Sequence, residues 1–177
     1  MDVLIDTPRL QMRQFRIEDA QAVFDFNADT HVTRYTGDAG LVKTLDDAKK
    51  IITDIWLRDY AKYGYGRYAL IHKADQKLIG FCGLKYDPGH PGTDLGYRML
   101  PAYWGQGLGF EAAKAAFNYG LDTLKLNHII AEADENNIGS IKIIERLGFT
   151  LCDQYEKWGH PLLRYEYTRP TSQYKNK

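Results

Sequence analysis

The segment from residue 94 to residue 133 most constrains the fold. It reads as a strand (94–100), three alternating glycines (Gly105, Gly107, Gly109), a helix (107–126) and a second strand (128–133). In that helix Phe110, Ala113, Phe117, Leu121 and Leu124 keep the 3.6-residue period. A strand–helix–strand unit predicts one crossover between parallel strands. The flanking segments predict antiparallel pairing instead. Strands at 67–72 and 77–84 bracket Lys73-Ala74-Asp75-Gln76, and strands at 150–158 and 162–168 bracket Gly159-His160-Pro161. Alternation from Arg9 to Phe15 predicts a half-buried first strand. Asp19 is the expected N-cap of a helix carrying Ala22, Val23 and Phe26, and a second helix is expected over 45–60. A last helix is expected over 140–147, with Gly148 as its left-handed C-cap. The order β–α–α–β–β–β–α–β–α–β–β gives an α/β fold of the α+β type: a mixed, mostly antiparallel sheet flanked by helices, with one parallel β-α-β crossover.

At 177 residues the chain suits one domain, expected over 1–170, with a frayed tail over 171–177. Folding at that size buries about 70% of the unfolded surface, so no disulfide or metal staple is required. Lys and Arg number 23 against 23 Asp and Glu. That balance disfavours a protein whose task is to coat nucleic acid or an anionic membrane. Cys82 and Cys152 form no CxxC pair and no zinc spacing, and both are expected as buried filler. The opening MDVLIDTPRL lacks a basic stretch followed by an apolar one, and no run approaches 18 apolar residues. The expected location is cytoplasmic.

The chemistry gathers at Pro101-Ala102-Tyr103-Trp104-Gly105-Gln106-Gly107-Leu108-Gly109-Phe110-Glu111-Ala112. Glycine lets the backbone approach a ligand and adopt positive φ. The helix that follows presents unpaired N–H groups and the positive end of its dipole. Together they make a phosphate cradle. A dinucleotide fingerprint fits poorly, because its third glycine falls at Phe110, and a P-loop fits poorly, because no Lys-Ser or Lys-Thr follows. A bare strand-to-helix turn is the plain structural alternative.

Trp104-Gly105-Gln106-Gly107-Leu108-Gly109 with Glu111-Ala112 resembles the pyrophosphate loop of GNAT acetyltransferases, and more narrowly of the ribosomal-protein N-terminal acetyltransferase (RimJ/RimL-like) branch. Thr7-Pro8-Arg9-Leu10 with Arg13, Asp94-Leu95-Gly96-Tyr97, and Asn137 and Ser140 ahead of Leu147-Gly148-Phe149 resemble other motifs of that branch in the same order. The resemblance covers about residues 7 to 168. It implies a GNAT fold, acetyl-CoA as co-substrate without a metal, and N-acetylation of an amine. It further implies pantetheine pairing near Tyr97 and Met99, pyrophosphate held by the amides of Gly105, Gln106, Gly107, Leu108 and Gly109, and Asn137 on the cofactor. Two departures stand out. Trp104 replaces a cationic or amide residue, and Ile144 stands where many members carry an acid tyrosine.

An alkyl ammonium, with a pKa near 10.4, must lose a proton before it attacks a thioester. Asp94, where the branch has Glu, is the first candidate base; Glu132 and Asp134 are the fallbacks. Ser140 either donates to the leaving thiolate or caps its helix, with the cap slightly favoured. Gly96 is expected to permit a bulge that frees a main-chain N–H for the oxyanion. The five histidines are read as structural, and Glu111 as a complement to the helix dipole. Between Glu18 and Asp59 nine acids face five Lys/Arg, and Tyr60, Tyr63, Tyr65 and Tyr68 follow. That stretch is either a solvated face or an acidic, aromatic lip for a cationic amine.

The expected reaction is direct attack in a ternary complex. The acceptor is a protein N-terminus or a small amine (a polyamine, amino acid or antibiotic), with no nucleic acid or membrane partner, and a homodimer is allowed. A catalytically inactive CoA-binding module is the rival reading, and a dinucleotide oxidoreductase a distant third.

Overall fold

A computed structural model describes residues 2–171. One eight-stranded sheet organises the chain in the order β1-β2-β3-β4-β5-β6-β8-β7. Its strands are β1 (Ile5–Asp6), β2 (Leu10–Arg13), β3 (Arg67–His72), β4 (Lys77–Lys85), β5 (Thr93–Met99), β6 (His128–Asp134), β7 (Thr150–Lys157) and β8 (His160–Thr168). Every neighbouring pair is antiparallel except β5 and β6. The crossover between those two is α4 (Leu108–Asp122). The expected mixed sheet with one parallel pair is therefore present. β1 escapes sequence detection because two residues are too few to show a period.

Helices cover both faces. On one, α1 (Ala20–Ala28) and α2 (Leu45–Ile51), which runs through a π-helical stretch (Ile52–Leu57) into α3 (Arg58–Tyr63), bring Phe26 and Trp56 edge-on to Phe81 of β4. On the other, α4 brings Tyr119 against Tyr68 of β3, and α5 (Ile138–Arg146) packs beside α4. Leu10, Met12, Phe26, Ile52, Leu70 and Ile79 are fully buried between these layers. Thr44 caps α2, in a reciprocal pair with Asp47.

Several boundaries shift for identifiable reasons. Asp19 makes no cap bond to α1; its carboxylate turns back to the Arg16 N–H and the Arg13 guanidinium. The α4 helix stops at Asp122 rather than 126, because Lys125 takes φ 57° and the Leu124 and Leu126 amides turn back to the Tyr119 and Gly120 carbonyls, each at 3.0 Å. Its counterpart α5 begins two residues early, at Ile138, because Asn137 caps it. Gly148 adopts φ 93°, as a left-handed C-cap requires. The tail expected over 171–177 lies, past Thr171, outside the described residues. Among the described residues no helix is long and apolar enough to cross a membrane.

Candidate active site

The site arises where the sheet stops pairing. β5 and β6 are in register only at Thr93–Ile129 and Asp94–Ile130. Beyond Asp94, β5 stays with β4 out to Met99, while β6 stays with β8 out to Asp134. The strands therefore splay, and the β5 edge from Leu95 to Met99 faces a gap. A cavity of about 240 Å³ fills that gap, reached by Asp94, Gly96, Tyr97, Asn137 and Ser140. A cleft of about 490 Å³ adjoins it on the α4–α5 side, and a cavity of about 440 Å³ on the α1–α3 side. Thr36 and Arg98 line all three, so the gap is a passage through the sheet.

The cleft carries the expected cofactor features. Gly105 and Gly107 adopt φ 71° and 78°, and a Cβ at Gly105 would project into open space. The backbone N–H groups from Gly105 to Gly109 have no acceptor among the described residues, so they remain free to meet an anion. Tyr97, Met99, Gly105, Gly107, Gly109, Asn137 and Ser140 all line this cleft. The side chains of Gln106 and Leu108 do not. Gln106 donates to the Ala102 carbonyl, and Leu108 is buried, so these two contribute main chain alone. The Met99 carbonyl is taken by the Trp104 indole at 2.8 Å. Trp104 is therefore a strut holding the loop to β5. Its side chain replaces a cationic contact with a structural one.

The loop is held from behind as well. Glu111 accepts from Thr7 Oγ1, the Arg9 N–H and Arg9 Nε at 2.7, 2.9 and 2.7 Å, and Arg9 Nη1 reaches the Gln106 carbonyl at 2.8 Å. Although its burial works the other way, these bonds hold the Glu111 carboxyl below its usual range. Glu111 thus does more than complement the dipole.

Ser140 is not a cap. Asn137 Oδ1 accepts from the Ser140 N–H, which leaves the Ser140 hydroxyl free to face the Tyr97 phenol at 3.4 Å. Burial raises the Tyr97 phenol above its usual value and keeps it a proton donor at neutral pH. Ile144 is packed in the core and offers no acid.

On the other side of the gap, Asp94 pairs with Arg67. Burial pushes the Asp94 carboxyl above the ordinary carboxylate range, against the pull of the guanidinium. Arg67 Nη1 also donates to the Gly83 and Asp94 carbonyls at 2.6 and 3.0 Å. The expected bulge at Gly96 is absent: β4 and β5 stay in unbroken register from Gly80–Met99 to Lys85–Asp94. Glycine is needed there for room, because a Cβ at residue 96 would lie 2.7 Å from Arg67 Nη2. The free β5 edge beyond Asp94 presents main chain without a bulge.

The fallback bases are engaged. Glu132 accepts from Arg164 Nε at 2.9 Å. Asp134 accepts from the Asn136 N–H at 2.9 Å and pairs with His160 at 2.7 Å; despite its burial, these partners hold its carboxyl low. All five histidines lie beside a carboxylate. The Cys82 thiol is buried and pushed up to about 12, whereas Cys152, expected inside, is exposed on β7. The acidic, aromatic lip is not formed. Of the acids between Glu18 and Asp59 only Asp38 lines the 440 Å³ cavity, and Tyr60 and Tyr68 are core residues. Sequence reasoning missed Arg67, Phe81, Arg98 and Trp158. The signal for Arg98 was present: Asp94, Gly96 and Arg98 alternate on one strand face.

Residues 9–150 match the family model described as an acetyltransferase (GNAT) domain. An uncharacterized N-acetyltransferase, p20, of Bacillus licheniformis is 31% identical over 157 residues, covering 85% of this chain and 86% of its own. RimL, a ribosomal L7/L12 alpha-N-protein acetyltransferase solved with coenzyme A, superposes with a TM-score of 0.81 at 14% identity, covering 95% and 98% of the two chains. Spermidine N-acetyltransferase from Vibrio cholerae, solved with CoA and spermine, gives 0.74 at 15% identity, covering 92% and 97%.

Proposed function

Since the chain belongs to the GNAT acetyltransferase family, we propose that it transfers an acetyl group from acetyl-CoA directly to a primary amine in a ternary complex. The observation that carries this reading is the passage through the splayed sheet, with Asp94 at its α1–α3 end and Ser140 and Tyr97 at its α4–α5 end. Acetyl-CoA supplies the activated thioester. The glycine-loop amides receive its phosphates, and the unpaired β5 edge lies alongside the arm that enters the gap. Asp94 takes the proton of the incoming ammonium, a role that its raised pKa favours. Ser140, backed by the protonated Tyr97 phenol, donates on the side where the thiol leaves. Cys82 is buried in the core and its thiol stays protonated, and among the described residues no side chain lining the gap is an activated nucleophile, which favours direct attack over an acetyl-enzyme.

The resemblance to the RimJ/RimL-like branch favours a protein N-terminal amine as acceptor. A small amine presents the same nucleophile to Asp94. The two part over what lies next to the amine.

The test is the thermal midpoint with and without acetyl-CoA, with NADH as control, followed by CoA release on an amine panel. Ligand at 100 times its Kd adds about 2.7 kcal/mol, a rise of roughly 5–11 °C at this size. A rise with acetyl-CoA alone and CoA release that depends on amine support the reading. A rise without turnover on any amine leaves a CoA-binding module.

A further inference from the structure

The acceptor-side cavity is balanced in charge. Four carboxylates line it (Asp38, Asp87, Asp94 and Glu132), and so do four Lys and Arg side chains (Arg67, Arg98, Lys85 and Lys157). Asp38 is bound to Arg98, Asp94 to Arg67, and Glu132 to Arg164 behind it. The Gly89 N–H and the nearby charges of His90, Lys85 and Lys157 hold the Asp87 carboxyl below the ordinary range, so it stays ionised. The lining amide and hydroxyl are committed as well. Asn27 accepts from Arg98, and Thr36 donates to the Thr33 carbonyl and to Asp38. Even the Phe81 ring is flanked by the Arg67 and Arg98 guanidiniums, at 5.7 and 5.3 Å, and is not open to a further cation.

What remains unspent is apolar. Ile51, Ile55 and Trp56 line the same cavity from the helical side, and Ile51, Ile55 and Phe81 are only half-buried. The helix explains why. Ala48, Ile52, Trp56 and Tyr60 are buried at every fourth position. Along a pure α-helix such a row drifts by about 40° per step. The wider π-helical turn of Ile52–Leu57 takes up that drift and keeps the row on the core. Ile51 and Ile55, each one position before a member of the row, therefore stay beside it at the cavity. Trp158, at the β7–β8 hairpin, adds a further ring to the lining. At about 440 Å³ the cavity has the size of a small-molecule site.

Building on the transfer reading above, we infer that the acceptor is a small primary amine with an uncharged, apolar body, an alkyl or aralkyl chain. Its nitrogen lies at Asp94 and its chain against Ile51, Ile55 and Phe81. In the transfer the ammonium gives one proton to Asp94. The nitrogen then forms the C–N bond as the C–S bond breaks, and its second proton ends on the departing thiol. A second ammonium or a carboxylate on the chain would upset a balance the cavity already holds, and would lose water without gaining a partner. A peptide N-terminus sets a polar amide beside the nitrogen, where this wall offers methyl groups and rings.

The experiment reads CoA release by the full chain at saturating acetyl-CoA on ethylamine, butylamine, hexylamine and 2-phenylethylamine. Hexylamine is compared with 1,6-diaminohexane and 6-aminohexanoate, whose chains end in a cation and an anion, and with an alanine-initiated tripeptide. From ethylamine to hexylamine kcat/KM should rise roughly threefold per methylene, with 2-phenylethylamine ranking beside the longer chains. Hexylamine should exceed both charged chains and the tripeptide by about tenfold or more. Ile55→Gln should flatten the rise, mainly through the KM of the longer amines. The milder Ile55→Ala should reduce it, and both variants should keep the Kd for acetyl-CoA. A flat series, preference for a charged chain or the tripeptide, or a rise unchanged in both variants would overturn the inference while leaving acetyl transfer intact. Acetyl-CoA binding with no turnover on any amine would overturn both.

Discussion

Glu111 at the start of α4 and Arg9 at the start of β2 hold each other through two contacts, main chain at 2.9 Å and guanidinium at 2.7 Å. The same guanidinium passes on to the Gln106 carbonyl in the glycine loop at 2.8 Å. The Thr-Pro-Arg motif near the N-terminus therefore acts on a loop almost a hundred residues away. It fixes the back of the cradle while leaving the amides at its front unpaired.

Glu111→Gln should lower stability by about 1–3 kcal/mol, since it removes a charged acceptor from three donors, and should weaken acetyl-CoA binding. Urea denaturation and calorimetric titration measure the two effects. The sign with pH follows from the lowered Glu111 carboxyl. Its contribution is present above the unfolded-state value and is lost as pH falls through the depressed folded value. The stability gap between wild type and variant should therefore narrow in acid.

Asp94→Asn should reduce kcat by about 10²–10⁴ with acetyl-CoA affinity kept. In the wild type the acid limb of kcat/KM against pH should lie above the ordinary carboxylate range, because burial raises this group. Activity should fall as pH drops through that raised value, and the limb should vanish in the variant.

Gly96→Ala places a methyl 2.7 Å from Arg67 Nη2, too close for the guanidinium to stay where it is. Displacing the guanidinium removes the influence that lowers the Asp94 carboxyl, so the acid limb should move further up. Circular dichroism should show the sheet intact, and a limb that stays in place would separate Arg67 from the base.

Gly105→Val should raise the Kd for acetyl-CoA roughly tenfold or more. Forcing a branched residue to φ 71° costs about 1–2 kcal/mol, and its side chain enters the cleft. A calorimetric Kd equal to that of wild type would show that the loop does not contact the cofactor.

Much of this architecture was legible. The 3.6-period stripe of α4 and the glycine run before it locate the crossover and the cradle, because both are local patterns. Features that depend on contacts between distant segments were not. Nothing near Gly96 signals that its hydrogen makes room for Arg67, a residue on another strand. Ser140 reads as a cap because Ser at a helix start usually is one; only the Asn137 side chain, closing the same turn, releases its hydroxyl. The acidic excess of the first helices carried no positional information, since a composition count cannot tell Asp38, at the cavity, from Asp59, which is buried.

Among the described residues, two register pairs, Thr93–Ile129 and Asp94–Ile130, are the only strand pairing that joins the β1–β5 half of the sheet to the β6–β8 half. The molecule is in this sense a zipper left partly undone, and what lies in the opening serves as its missing teeth. Occupancy and rigidity are then one equilibrium: slow exchange of the gap-facing amides between Leu95 and Met99 belongs to the loaded protein, and their fast exchange to the empty one.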